Sequence, residues 1–137
     1  MADALSVLVR WMHIASVAML VGGLLFARLV MSPALAGSSA EVRGAVMERA
    51  AARFRPLVLM AMALLTGSGV FNILTTPGHR AVYHVVLGIK LLLVLHVFAV
   101  ALVVVRPAQP RRERLITGAM ISGLAIVLIS AWLRRHF

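Results

Sequence analysis

Cysteine is absent from the 137 residues, so disulfides and thiolate metal sites are excluded, and any metal must be held by nitrogen, oxygen or methionine sulfur. Acidic residues are almost as scarce: Asp3, Glu41, Glu48 and Glu113 stand against fourteen Lys and Arg. None of the four lies inside a long apolar run, which argues against acid–base catalysis or proton pumping by a carboxylate relay. Charged residues make up only 13% of the chain and apolar residues 62%, whereas about half of a soluble domain is apolar. The missing charge points to lipid as the solvent.

What is present confirms that direction. Four runs reach the roughly 20 apolar residues that a helix needs to cross a bilayer: Leu5 to Leu29, Pro56 to Thr76, Ala81 to Val105 and Leu115 to Leu133. Little chain remains outside them, so the expected fold is a single all-α domain, an integral membrane four-helix bundle. The first run carries Arg10 and is followed by no clear small-residue cleavage site, so it is expected to stay attached rather than act as a secretion signal. Between the first two spans, Ser38 precedes Glu41 by the three residues of a capping box, and good helix formers follow. A short interfacial helix is expected there, entering the second span with a bend near Pro56. Pro33 and Gly37 end the first span, the TTPGH stretch at residues 75–79 reads as a tight turn, and RPAQPRRER at 106–114 as a polar loop.

A net charge of +10 would suggest nucleic acid in a soluble protein. Here the basic residues sit at span ends, so membrane lipids are the expected partner and nucleic acid is not. Arg43, Arg49, Arg53 and Arg55 flank one connection, and Arg106, Arg111, Arg112 and Arg114 another. Arg10, Arg80, Arg134 and Arg135 lie on the opposite side. The bias places the first and third connections in the cytoplasm and both termini outside, in a bacterial inner membrane. Small residues spaced for close helix approach include Gly118 with Ser122, Ala119 with Gly123, and Thr66 with Gly67 and Gly69. They serve helix packing, or make room for a flat ligand.

Ionisable residues inside the spans are costly and are functional candidates by default. At about 1.5 Å of rise per residue, His13 lies roughly 11 Å into the first span, and His84, Lys90 and His96 lie about 4, 13 and 22 Å into the third. The last three point about 120° apart around their helix. His84, next to Tyr83, suits an interfacial anchor, and His96 could be satisfied by Thr66 or Ser68. His13, with Arg10 one turn earlier, suits a haem ligand beside a propionate-binding guanidinium. The candidate metal ligands are His13, His84 and His96, with Lys90 as a further candidate for the second axial position.

These residues stand in a recognisable order. HIASVAMLVGGLLFARLV at 13–30, VMERAAARFRPLVLMAMALLTGSGVFNIL at 46–74 and HVVLGIKLLLVL at 84–95 together resemble the HemJ family of membrane protoporphyrinogen oxidases and the related CopD-like membrane domain. The resemblance covers about three spans and carries over His13, Arg28, Glu48, Arg49 and Lys90. It implies haem b, with oxidation of protoporphyrinogen IX and electrons passed towards quinone; Lys90 or Arg28 would then hold substrate carboxylates. Where HemJ-like proteins have Asn-Glu-x-Pro before the last span, this chain reads RRERLITG. The CopD-like alternative implies copper, for which Met12, Met19, Met60 and Met62 offer soft sulfur. A cofactor-free accessory subunit, a redox partner protein and a homo-oligomer are the remaining expectations.

Overall fold

The computed structural model describes residues 2–75 and 81–136. It is built from four long helices and short connections, with no strand among the described residues. Helix α1 covers Ala2–Phe26 and continues through a π-helical turn, Ala27–Met31, into a last turn, Ser32–Ala34. Helix α2 is Ala40–Thr75, α3 is Ala81–Val104 and α4 is Arg112–His136. Each is long and apolar enough to cross a membrane. The turn expected at 75–79 falls outside the described residues from position 76 onward, as does Arg80.

The first span thus runs past its expected end, and Pro33 accounts for the manner. Proline offers no N–H and its ring opposes the carbonyl four residues back, so a regular α-helix cannot pass through it unchanged. The preceding turn widens instead, with the Ser32 N–H reaching the Ala27 carbonyl. The helix expected before the second span runs directly into it. Residues 40–55 and the second span form one continuous 36-residue helix with Pro56 inside it. At about 1.5 Å per residue this helix is some 54 Å long, so its charged N-terminal third projects beyond the roughly 30 Å hydrocarbon core. The cap shifts by one position from the expected Ser38: the Val42 N–H donates to Ser39 Oγ at 3.3 Å.

Helix α1 packs along α2 and α3 along α4, and α1–α4 and the sparser α2–α3 contacts close the ring. The first and third connections therefore emerge at the same end. Two buried clusters fill the interior. One joins Leu20, Val58, Ala61, Val97, Ala101 and Val105; the other joins Leu24, Met47, Val104, Ile116 and Ala119. Among the small residues, Ala119 and Gly123 make the close approach: Ala119 is fully buried, and a Cβ on Gly123 would stand 3.1 Å from Val21. Gly67, Gly69 and Gly118 face open space. Large apolar side chains such as Val7, Leu74, Leu92, Leu95 and Leu128 are turned outward and exposed. A continuous apolar exterior on every helix is what a bilayer solvates, and the chain is an integral membrane protein.

Arg112 ties the basic end together. Its buried guanidinium donates to the carbonyls of Val104, at 2.9 Å, and Arg106, at 2.8 Å, and pairs with Glu48 at 3.0 Å. Those carbonyls stand at and just past the end of α3, where intrahelical donors run out. Ala108 adopts a positive φ of 52°, and its N–H donates to the Glu48 carboxylate at 3.1 Å. The Arg112 hydrogen bond, followed by the Ala108 N–H, holds the Glu48 pKa below the usual carboxylate value. Glu48, singled out above only through the resemblance, thus joins α2, the last loop and α4.

Candidate functional site

His13 is partly buried on α1, facing α2. Its Nδ1 lies 2.7 Å from Ser68 Oγ, and that hydroxyl donates its one proton to the Leu65 carbonyl at 3.2 Å. With that proton donated to the carbonyl, Ser68 Oγ can accept from His13 Nδ1–H, and in that tautomer Nε2 keeps a free lone pair. A ring held at one nitrogen by a second residue, with the other nitrogen basic, has the arrangement found in metal-ligating histidines. Lys90, half-buried on α3, lies near enough to act electrostatically on the ring. One turn along α1 from His13, Ser16 is buried and its hydroxyl has no hydrogen-bond partner.

His13 and Ser68 thus meet across α1 and α2, with Ser16 one turn along α1 and Lys90 of α3 within electrostatic range of the ring. The remaining sequence candidates are placed elsewhere. His84 and His96 are exposed, and the His84 ring meets Tyr83 edge-on with centroids 5.7 Å apart. Neither histidine joins His13, and no group of three His, Asp or Glu among the described residues could hold a metal. Ser68, weighed above as a partner for His96, bonds His13 instead, and Thr66 bonds the Met62 carbonyl of its own helix. Of the alternatives on α3, Lys90 is half-buried while the 120° spacing leaves His84 and His96 exposed.

The two arginines also separate. Arg10 is exposed one turn from His13, within reach of a group bound at that end. Arg28 is fifteen residues further along α1, about 22 Å by helical rise. It lies in the π-helical turn and donates to Thr117 Oγ1 at 2.9 Å. Nearby, the Ser32 hydroxyl donates to the Glu113 carboxylate. Arg28 is therefore part of an α1–α4 joint and does not share a site with His13. Of the methionines, Met19 and Met62 pack on the same buried cluster, whereas Met60 faces outward.

Haem b needs an axial donor and a cation for its propionates. The donor set offers a neutral imidazole with Nε2 free, an amine nearby, and an exposed guanidinium one turn away. Gly67 and Gly69 flank Ser68 on the more exposed sides of α2, where a Cβ would meet no atom within 4 Å. The orphaned Ser16 hydroxyl adds a buried donor that a ligand could satisfy. This donor chemistry suits iron ligation at His13, whereas His84 and His96 are exposed and stand apart from it. Comparison with family models, curated proteins and solved structures gave no match.

Proposed function

We propose that this chain is a membrane redox protein that binds haem b through His13, as its resemblance to the HemJ and CopD group implies. The observation that carries the proposal is the bridge from His13 Nδ1 through Ser68 Oγ to the Leu65 carbonyl, which in the Nδ1–H tautomer leaves His13 Nε2 available to iron. Haem, when bound, supplies a one-electron acceptor whose potential follows its axial ligand and surroundings. The protein's own contribution is to hold the His13 ring in one tautomer, to place the Lys90 amine beside it, and to offer Arg10 to a propionate. Protoporphyrinogen IX is the proposed electron donor and quinone the acceptor, with Lys90 proposed to hold a substrate carboxylate. The proposed setting is the bacterial inner membrane, with the arginine-rich end in the cytoplasm and both termini outside.

Met19 and Met62 on one buried cluster support a second reading, a CopD-like site for soft copper. Purification in neutral detergent, followed by absorption spectra and metal analysis, separates the two. A Soret band with a sharp reduced α-band, lost in His13→Ala, supports haem; a colourless protein carrying copper supports the second reading. A colourless, metal-free protein would leave His13 as a helix-packing residue of an accessory subunit and overturn both.

A further inference from the structure

At the end remote from His13, the start of α2 and the last loop enclose an open cavity of about 510 Å³. Arg43 on α2 and Arg111, Arg112 and Arg114 at the start of α4 all line it. Arg112 is neutralised by Glu48 and committed to carbonyls. Arg43, Arg111 and Arg114 have no carboxylate partner in the described structure, and the one carboxylate on the wall, Glu113, accepts a hydrogen bond from Ser32. Three arginines thus face one engaged acid across the cavity.

Arg43 marks where a ligand would sit. Its Nη2 donates to the Ser38 carbonyl at 3.4 Å, but its buried Nε–H has no acceptor. An unpaired buried charged donor is costly, and an anionic oxygen would remove that cost. The cavity also has a defined depth. Arg114 directly precedes Leu115, the first residue of the last apolar run, so the wall stands at the level of lipid headgroups. Guanidinium forks match phosphate oxygens, and basic pockets at this level suit anionic headgroups.

We propose that this cavity binds a phosphate ester, held by Arg43 with Arg111 and Arg114. The site is independent of the haem reading, since none of its residues touches the patch around His13. An anionic glycerophospholipid and a soluble phosphate are the two sources of that chemistry.

The full chain in neutral detergent at 0.15 M salt, mixed with phosphatidylglycerol or phosphatidylcholine, is examined by native mass spectrometry for retained lipid. Phosphatidylglycerol is expected to bind in preference to phosphatidylcholine. Arg43→Gln and the double variant Arg111→Gln/Arg114→Gln should each weaken it at least about tenfold, the effect of losing a charged hydrogen bond. Arg53→Gln removes the same charge about 15 Å further along α2, beyond the roughly 8 Å screening length, and should change binding by less than about twofold. Helical circular dichroism checks folding, and the double variant carries the test if Arg43→Gln does not fold. Displacement by millimolar inorganic phosphate would show that a soluble phosphate also occupies the site; retention against it would identify the lipid as the ligand. Equal binding of both lipids together with no effect of inorganic phosphate, or an Arg53→Gln loss equal to that of Arg43→Gln, would overturn the proposal.

Discussion

Replacing Arg112 with methionine keeps an unbranched apolar stem and removes only the guanidinium. The variant leaves the carbonyls of Val104 and Arg106 without donors, and separates Glu48 from its cation. A hydrogen bond from a charged donor contributes about 1.5–3 kcal/mol, and a buried acceptor left unpaired forfeits about 1–3 kcal/mol. Glu48 is exposed enough to be rehydrated, so the ion pair itself adds little. Arg112→Met should therefore cost about 3–5 kcal/mol, a large part of a stability of about 5–15 kcal/mol. The assay is reversible unfolding in mixed micelles, followed by helical circular dichroism, with Arg111→Met as the control. Arg111 is exposed and should fall within about 0.5 kcal/mol of wild type. An Arg112→Met loss below about 1 kcal/mol would refute the reasoning, since it would mean that water satisfies the α3 carbonyls as well as the guanidinium does.

Further predictions rest on separate contacts. The folded pKa of Glu48 is depressed, so its contribution to stability is fully present above the ordinary carboxylate value of 4.5 and is lost as pH falls through the lower folded value. Unfolding curves of wild type and Glu48→Gln should converge only in that acid range; convergence at pH 6 would contradict it. A Cβ on Gly23 would overlap the Phe54 ring, whereas one on Gly22 meets nothing. Gly23→Ala should cost about 1–3 kcal/mol and recover with Phe54→Leu, while Gly22→Ala should be neutral or slightly stabilising, both by the same unfolding assay. Ala108→Gly should stabilise by up to about 1 kcal/mol, because glycine adopts positive φ without the Cβ penalty. Ser68→Ala removes the acceptor that orients His13 and should weaken haem retention about 10- to 100-fold in a haem-transfer assay, with the protein still folded.

The spans were legible in the sequence because hydropathy over 20 residues reports directly on the solvent, and the structure places a helix on each. Their ends were less so. Pro33 reads as a terminator in the sequence, but a proline in the last turns can be absorbed by a π-helical widening, and only the backbone shows which occurs. Pro56 likewise sits within α2 without dividing it. His13 and Lys90 could be singled out as costly intramembrane groups, and the angular spacing on α3 foretold that His84, Lys90 and His96 could not converge. Which of the three would face inward depended on how α3 turns against α2 and α4, a property of packing between helices. Ser68 as the His13 partner, 55 residues away, was hidden for the same reason. Ser16 was within reach of sequence reasoning, since it lies one turn from His13 on the same face. The Arg112 joint was not: as one of four arginines in a basic loop, nothing in its neighbours distinguished it from a solvated charge.

The central claim is that His13 Nε2 is held ready to ligate haem iron. The direct measurement is a reduced-minus-oxidised spectrum of the detergent-purified chain, with haem counted per polypeptide, for wild type and His13→Ala. One haem b per chain in wild type and none in the variant is the expected result; a colourless wild type, or a spectrum unchanged by the loss of His13, would contradict it.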